Sequence, residues 1–334
     1  MTLVPTTLAR AVDAALEATV VLSFSKVGPA VRSRLEGWEP LEELDATGRR
    51  IVVTGANSGL GYATARALLR SGATVLATVR DEDKATATRS ALAADLGRDL
   101  DGQLETDLLD LSELASVRAF AERRLAAGHP LHGIVHNAGA LFAERAVTGD
   151  GLERTYQIHV VAPFLLTSLL LPLLADSAPS RVVTVTSGGM YAEKLVTARV
   201  DSPGEYRGSV AYARAKRAQV ALTREWARRF GTTGVGFHVA HPGWALTPGV
   251  ESSLPGFRRI TGPILRDLDE GADTVVYLML SDDLPGAGRL WHDRRPRSEH
   301  KVPWTVADRG ESGELWARVC RDAAVEPVLT TAQG

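Results

Sequence analysis

The stretch Ile51–Gly61, which reads IVVTGANSGLG, decides the fold. Three β-branched apolar residues run into a loop that holds Gly55, Gly59 and Gly61, and the helical run Tyr62–Leu69 follows. This pattern predicts a strand, a tight turn and a helix. Glycine allows positive φ and close approach to a ligand, and a helix N-terminus offers unpaired N–H groups and a positive dipole end to an anion. At such a turn in an α/β sheet, the usual anion is the pyrophosphate of a dinucleotide.

From residue 49 onward, short apolar β-branched runs alternate with amphipathic helical runs. Repeated β–α units with right-handed crossovers form a doubly wound parallel sheet, so we predict an α/β, Rossmann-like fold. One dinucleotide-binding domain is predicted at 46–295, preceded by a helical extension at 1–45 and followed by a tail at 296–334. The predicted strands are Ile51–Thr54, Thr74–Val79, Gln103–Thr106, Gly133–His136, Arg181–Thr186, Gly234–Ala240 and Arg289–Trp291. The predicted helices are Leu60–Ser71, Glu82–Leu96, Glu113–Ala127, Leu152–Ala175, Val210–Phe230 and Asp269–Leu280.

Composition sets the class of protein. The chain has 334 residues, 45% of them hydrophobic and 23% charged, which is typical of a globular domain with a substantial core. Its net charge of −2 gives no field that attracts nucleic acid, so none is expected as a partner. The single cysteine, Cys320, excludes an internal disulfide and a cysteine-built metal site, and no metal is expected. This usage suits a reducing compartment, so we predict a cytoplasmic protein.

Two apolar segments raise the question of a membrane. Residues 1–45 carry apolar residues at roughly helical spacing, which indicates a helix that packs on the domain or, as a second interpretation, touches a membrane or partner. Asp13 and Glu17 weaken a lipid-binding face, so packing is favoured. The uncharged run Gln157–Ala175 is interrupted by Pro163 and Pro172. We therefore predict a buried helix there and no transmembrane span.

A serine, a tyrosine and a lysine have the spacing of a proton-transfer site. Ser187 ends the apolar strand VVTVTS, and Tyr212 and Lys216 follow at i and i+4 of a helix. Residues at that spacing share one helical face, so the ammonium can approach the phenol and favour the phenolate. Such a tyrosine exchanges a proton with a carbonyl or alcohol oxygen while a nicotinamide exchanges hydride. Ser187 would hydrogen-bond the same oxygen.

These motifs, in this order, resemble the short-chain dehydrogenase/reductase family across about residues 47–295. The glycine spacing TGxxxGxG, the Asn137-Ala138-Gly139 tripeptide and the Tyr212/Lys216 pair carry the resemblance. Within the family the chain is similar to the dehydrogenase/reductase member 12 branch. The similar segments begin at Ser187, Thr223, His241, Thr247, Leu254 and Asp293.

The resemblance implies a set of cofactor-binding positions. The glycine loop would hold the pyrophosphate, Asp107-Leu108 would contact the adenine, and the segment from Pro242 to Thr247 would close over the nicotinamide end. Tyr212 and Lys216 would contact the cofactor as well as the substrate. The predicted cofactor-binding residues are Gly55, Asn57, Ser58, Gly59, Leu60, Gly61, Arg80, Asp107, Leu108, Asn137, Ala138, Gly139, Tyr212, Lys216, Pro242, Gly243 and Thr247.

The end of the second strand, Val79-Arg80-Asp81, bears on the choice of cofactor. An acidic residue at this tip binds the ribose 2′-hydroxyl of NAD, and a basic one accommodates the 2′-phosphate of NADP. The slot in which NAD-preferring members of the family carry Asp holds Val79, and the next slot holds Arg80. We therefore favour NADP(H), while NAD(H) stays open because Asp81 lies beside it.

One position departs from the family pattern. The family's fourth catalytic residue is an asparagine that holds a relay water, and this chain has His159 at that slot. Histidine can donate, accept and relay protons at neutral pH, so we include it with Ser187, Tyr212 and Lys216 as catalytic. The alternative is a histidine that only packs inside the helices, which would leave a catalytically weak NADP(H)-binding regulatory protein.

The expected activity is interconversion of a carbonyl and an alcohol. The substrate walls would come from Met190 and Tyr191 on one side and from an apolar flap at 244–265 on the other, which suggests a small apolar carbonyl or alcohol. The flap residues are Trp244, Leu246, Val250, Leu254, Phe257, Ile260 and Ile264. The run Leu165–Leu174 beside the Tyr212 helix resembles the family's four-helix dimer interface, so a homodimer is expected unless the first 45 residues cover that face.

Overall fold

The computed structural model of the chain describes residues 6–247, 259, 261–282, 284 and 286–328. The strands are β1 (Arg50–Thr54), β2 (Thr74–Val79), β3 (Leu104–Leu108), β4 (Gly133–His136), β5 (Ser180–Val185), β6 (Val235–Ala240), β7 (Leu290–His292) and β8 (Arg295–Arg297). The described strands form one sheet in the order β3-β2-β1-β4-β5-β6-β7-β8. All neighbours are parallel except β8, which returns antiparallel to β7. The predicted doubly wound sheet is confirmed, and β8 is an addition that the sequence did not predict.

Ten helices flank the sheet in the described part of the chain. They are α1 (Thr6–Ala18), α2 (Val20–Phe24), α3 (Val27–Glu36), α4 (Gly59–Arg70), α5 (Glu82–Leu96), α6 (Leu114–Ala127), α7 (Arg154–Asp176, with a π-helical turn at Gln157–Val161), α8 (Gly208–Phe230), α9 (Leu268–Leu280) and α10 (Glu311–Asp322). Glycines end α3, α5 and α6 in the left-handed conformation that favours this residue. Asp267 begins α9 with a capping box to Glu270.

The two faces of the sheet carry separate hydrophobic cores. Successive side chains of a strand point to opposite faces, so Ile51 and Val53 pack with α4 and α9, while Val52 packs with α6 and α7. Both faces are buried, which explains why the strands read as continuous apolar runs. The carboxyl ends of the parallel strands all lie at the same end of the sheet, where the helices leave them uncovered.

Helix α7 meets the length and hydropathy expected of a membrane span, and it is the one helix in the described residues that does. However, 72% of its most apolar window is buried inside the protein. Leu165, Leu170 and Leu174 are fully buried in the core that α7 shares with α6 and α8. Its apolar composition is thus accounted for by contacts inside the domain, as the sequence predicts.

The C-terminal segment is part of the core. Trp316 of α10 lies 4.9 Å from Phe164 of α7 and 4.8 Å from Trp226 of α8, measured between ring centroids. Leu315 and Val319 are fully buried beside it. Helix α10 therefore packs on Phe164 and Trp226, which belong to the two helices of the predicted dimer interface. The described residues 6–36 of the extension pack at another place, near β8, where Asp13 of α1 pairs with Arg297.

Candidate active site

A cleft of about 610 Å³ opens where the parallel strands end. It lies at the point between β1 and β4 where the strand order reverses, which is where ligands bind in open α/β sheets. Its volume is within the range of small-molecule sites. The predicted residues that line it are Gly55, Asn57, Ser58, Gly59, Leu60, Arg80, Asn137, Ala138, Gly139, His159, Ser187, Tyr212, Lys216, Pro242, Gly243 and Thr247.

The glycine loop is shaped as predicted. Gly55 and Gly59 adopt φ values of +67° and +57°, and α4 begins at Gly59, so its first N–H groups face the cleft. Gly61 does not line the cleft. A Cβ at Gly61 would overlap the carbonyl oxygen of Gly55 and the Nδ2 of Asn137. This glycine therefore permits close packing of α4 on the loop and does not touch a ligand directly.

Asn137 ties the ends of β1 and β4 together. Its Nδ2 donates to the carbonyl of Thr54 over 3.0 Å, and the backbone N–H groups of Asn137 and Ala138 both donate to the Thr54 hydroxyl over 3.0 Å. A Cβ at Gly55 would lie 3.0 Å from Ala138, so the two loops touch. The supporting role that the resemblance implies for the tripeptide has a physical basis in these bonds.

The ribose end of the cleft has a basic side chain and no acidic one at the tip of β2. Arg80 is exposed and lines the cleft. Asp81 instead caps α5, accepting from the Lys84 N–H over 2.9 Å and pairing with the Lys84 ammonium. The Asp81 carboxylate, for which NAD(H) was kept as an alternative cofactor, is therefore engaged with the helix that follows it.

The adenine position predicted at Asp107-Leu108 is wrong. Strand β3 continues to Leu108, two residues beyond its predicted end, and Asp107 pairs with Arg123 at 2.8 Å and Arg124 at 3.0 Å on α6. The next Asp-Leu pair, Asp110-Leu111, lines the cleft instead. The sequence contains both Asp-Leu pairs, three residues apart. The position at which β3 ends decides which pair reaches the cleft.

Ser187, Tyr212 and Lys216 converge on the cleft, as predicted from their spacing. Helix α8 holds Tyr212 and Lys216 on one face, and the Lys216 Nζ lies 5.4 Å from the centre of the Tyr212 ring. The ammonium donates to the carbonyl of Val185 over 2.8 Å, at the end of β5. The hydroxyl of Thr186 donates to the Lys216 carbonyl over 3.1 Å, which fixes α8 to the strand that carries Ser187.

Burial controls the proton affinities of this group. It raises the pKa of Tyr212, and a hydrogen bond with Ser187 opposes the rise. It lowers the pKa of Lys216 to about 7, because the buried ammonium loses its hydration. In the ligand-free cleft, desolvation of the phenolate sets the direction of the Tyr212 pKa shift, which is opposite to the predicted lowering by Lys216. Tyr212 therefore holds its proton at neutral pH.

His159 lies in the π-helical turn of α7 with its ring edge-on to Tyr212, the ring centres 5.3 Å apart. Its Nε2 is 2.9 Å from the Ala140 carbonyl, so Nε2 carries the proton. Burial and the nearby Lys216 lower the pKa of His159 to about 3. The ring is therefore neutral, with Nδ1 as an acceptor that has no partner among the described residues. A neutral ring with Nε2 as donor and Nδ1 as acceptor is the form in which His159 would take part in the predicted proton relay, which stays a prediction.

The substrate end of the cleft differs from its predicted form. Met190 and Tyr191 are buried behind it and do not line it; the lining is Ala140, Phe142, Gly188, Gly189 and Trp244. The turn after Ser187 directs Gly188 and Gly189 toward the cleft and the two larger side chains into the protein. Of the predicted flap, Trp244 lines the cleft, whereas Leu246 and Ile264 do not. The other four residues, Val250, Leu254, Phe257 and Ile260, lie outside the described residues.

The residues present fit a nicotinamide dinucleotide. The positive-φ glycines and the N-terminus of α4 form a cradle for a pyrophosphate. A side chain at Gly55 would press on Ala138 and so disturb the loop that forms this cradle. Arg80 and Asp110 lie toward one end of the cleft, and Tyr212 and Pro242 toward the other.

Comparison with known proteins agrees with this geometry. A family model described as short chain dehydrogenase matches residues 49–255. The human dehydrogenase/reductase SDR family member 12 is 37% identical over 275 residues, which cover 81% of this chain and 84% of the relative. The chain belongs to the short-chain dehydrogenase/reductase family. It is accordingly a nicotinamide-dependent oxidoreductase of CH–OH and C=O groups.

Further relatives lie in the same part of the family. Mouse retinol dehydrogenase 14 is 37% identical over 283 residues, covering 80% of this chain and 84% of the relative. Among solved structures, a protein of Mycobacterium paratuberculosis is 30% identical with a TM-score of 0.69, covering 87% of this chain and 99% of that one. A short chain dehydrogenase of Shigella flexneri complexed with NADP is 26% identical with a TM-score of 0.59, covering 76% and 100%.

Proposed function

We propose that this short-chain dehydrogenase/reductase uses NADP(H) and a Ser187-Tyr212-Lys216 site to interconvert a carbonyl and an alcohol on a small apolar molecule. The observation that carries the proposal is the convergence of these three side chains on the cleft that the glycine loop opens. The two requirements of the reaction, a place for the dinucleotide and a proton donor beside its reactive end, are met in one cavity.

The side chains divide the proton chemistry between them. When bound, the nicotinamide supplies or accepts the hydride. In reduction the Tyr212 phenol gives its proton to the oxygen that forms the alcohol, and in oxidation the phenolate takes it back. Ser187 donates a hydrogen bond to the same oxygen and stabilises the charge that develops on it. Lys216 is held at the Val185 carbonyl, where its charge favours the phenolate whenever Tyr212 has lost its proton.

The preference for NADP(H) rests on the ribose end. Arg80 is exposed at the cleft, and Asp81 is engaged with Lys84 and the start of α5. A guanidinium suits a phosphate through paired charged hydrogen bonds. The Shigella flexneri relative complexed with NADP supports the same preference.

The substrate class follows from the lining of the other end. Phe142, Trp244 and Ala140 supply apolar surface, and Gly188 and Gly189 leave room beside Ser187. Ser187 and Tyr212 are the polar groups that would orient a single oxygen within these walls. The relatives named retinol dehydrogenase are named for an alcohol of this apolar kind.

A second candidate function is suggested by His159. Its neutral ring and unpartnered Nδ1 replace an amide that takes part in proton relay in the family. A chain with a broken relay would bind NADP(H) without turnover and act as a regulatory protein. This alternative keeps the cofactor site and removes the chemistry.

The deciding assay is NADPH consumption over a panel of apolar ketones, aldehydes and quinones, with NADPH binding measured in parallel by fluorescence. Turnover on at least one substrate, lost in Tyr212→Phe, supports the oxidoreductase. Saturable NADPH binding with no turnover on any compound supports the regulator. Failure to bind either NADPH or NADH contradicts both.

The location of the protein in the cell and its contact with a membrane are also proposals. We propose a cytoplasmic protein, and the second interpretation of the N-terminal helices, contact with a membrane surface, draws support from Val20, Val21 and Leu22, which are consecutive and each at least 40% exposed. Cosedimentation with neutral and anionic phospholipid vesicles would test this contact. A triple Val20→Ser, Val21→Ser, Leu22→Ser variant should abolish any binding observed.

A further inference from the structure

The turn between α2 and α3 holds the loop that lines the nicotinamide end of the cleft. The backbone N–H of Trp244 donates to the carbonyl of Phe24 over 2.7 Å. The N–H of Lys26 donates to the carbonyl of Ile264 over 3.0 Å, next to the segment that pairs with the loop. The N-terminal extension thus contacts the backbone of the active-site loop directly.

Arg266 joins the two segments from within the protein. It is 1% exposed; its Nε donates to the Phe24 carbonyl over 3.0 Å and its Nη2 to the Ser23 carbonyl over 2.7 Å. Its own backbone bonds the loop on both sides, accepting from Leu246 over 2.9 Å and donating to Trp244 over 2.8 Å. The side chain passes so close to Gly243 that a Cβ there would overlap the guanidinium.

A buried charge network anchors Arg266 to the N-terminal helices. Asp293 accepts from the Arg266 Nη1 over 2.6 Å and also pairs with Arg32 of α3. Arg32 is fully buried and donates to Asp13 of α1 over 2.7 Å and to Glu17 over 3.1 Å. Charges buried in this way are stable only when each has its partners, so the positions of the two segments depend on each other.

The ring of Phe24 adds an apolar contact to this junction. Its centroid lies 4.4 Å from that of His241 and 6.1 Å from that of Trp244, in an edge-to-face arrangement with the tryptophan. It also stacks on Tyr191 at 5.9 Å. Phe24 is 2% exposed and lies 3.8 Å from the place that a Cβ of Gly188 would occupy. Phe24 therefore packs behind two parts of the cleft wall at the substrate end, the part that holds Trp244 and the part that holds Gly188.

We propose that residues 6–36 are a positioning element of the active site, which fixes the 242–247 loop on the nicotinamide end through Phe24, Arg32, Asp293 and Arg266. None of these residues lines the cleft, so they act through the loop and are not catalytic. The proposal rests on the proposed function for the identity of the ligand, but the loop's position can be measured without any ligand.

The main test is Arg266→Lys. A lysine keeps the charge, but its single ammonium cannot hydrogen-bond Asp293 and the carbonyls of residues 23 and 24 at the same time. We expect the amides of peptide 241–247 to exchange hydrogen faster and the Kd for NADPH to rise about tenfold or more.

The matched control is Arg294→Lys. Arg294 is another arginine with a largely covered side chain that links the extension to the domain, through the Glu39 carbonyl and Asp273, and no hydrogen bond joins it to the loop. The control should leave both quantities near their wild-type values.

Phe24→Leu is the second variant, because it keeps an apolar side chain and leaves every charge in place. It should also speed amide exchange at 241–247 and raise the Kd, by less than Arg266→Lys. The proposal is overturned if both variants fold with wild-type exchange at 241–247, or if Arg294→Lys changes exchange there equally. A wild-type chain that binds no NADPH but shows the predicted exchange pattern would overturn the proposed function and leave this inference standing.

Discussion

At the scale of single residues, Tyr212 and Lys216 are shifted in opposite directions by the same cause. Burial disfavours both charged forms, so the phenol holds its proton more tightly and the ammonium holds its proton less tightly. A protonated phenol is the form that donates to a carbonyl oxygen. The protonated phenol of the ligand-free cleft is therefore the form that the proposed reduction requires.

His159 offers a test of the relay. We expect His159→Asn to keep or raise turnover, because it restores the amide of the family pattern. The pKa of His159 is about 3, so the imidazole stays neutral from about pH 5 to 9 and contributes no step to the kcat profile there. Measured kcat–pH profiles of the two proteins should have the same shape. A step near pH 6 to 7 that disappears in the variant, or total loss of activity, would show that the histidine has an essential role of its own.

Arg80 tests the choice of cofactor. We expect Arg80→Gln to weaken NADPH binding about tenfold and to leave NADH binding unchanged, since a charged hydrogen bond to the 2′-phosphate is lost. Fluorescence titration at two salt concentrations measures both affinities. Arg70→Gln is the control, because Arg70 is exposed at the end of α4 and does not line the cleft. Equal loss for NADH and NADPH would contradict the role given to Arg80.

The sequence predicted which residue types meet at the site better than it predicted their surroundings. Ser187, Tyr212 and Lys216 follow from a strand end and an i, i+4 spacing, which are local patterns. The Asp107 error arose from two residues of strand that propensity does not fix. The direction of the Tyr212 pKa shift depends on how deeply the fold buries the phenol, and no local pattern contains that.

At the scale of elements, the sheet, its helices and a helical N-terminal extension that packs on the domain were predictable, whereas the docking of the C-terminal segment was not. Alternation of apolar runs identifies the β–α units because each run must bury a face. The docking of α10 depends on a face that exists only after α7 and α8 have packed. Leu315, Trp316 and Val319 form an apolar stripe along this amphipathic helix, but the sequence alone does not say against which surface the stripe packs.

The docking of α10 predicts a large stability effect. Trp316 is 7% exposed and contacts the Phe164 and Trp226 rings. Trp316→Ala should lower the free energy of unfolding by about 3–5 kcal/mol, through lost burial and the cavity left behind. Chemical denaturation measures this loss. Trp304, which is 69% exposed, supplies the matched control, and Trp304→Ala should cost no more than about 0.5 kcal/mol. Similar effects of the two changes would contradict the packing described for α10.

At the scale of the whole molecule, α10 decides the expected oligomeric state. It packs on Phe164 and Trp226, which belong to the two helices of the family's four-helix dimer interface, so we propose that α10 competes with a partner subunit there. We expect a monomer of 35.7 kDa by light scattering coupled to size exclusion. A dimer of twice this mass would show either that another face associates or that α10 leaves its site.

We propose that Tyr212 exchanges the proton with the substrate oxygen at the cofactor-binding cleft. Single-turnover oxidation of NADPH by Tyr212→Phe tests this role, with NADPH affinity determined on the same preparation. We expect unchanged NADPH affinity and a rate about 10²-fold or more below wild type, since the general acid is lost and the ring is kept. A variant that binds NADPH normally and oxidises it at the wild-type rate on the same carbonyl substrate would show that Tyr212 is not the proton donor.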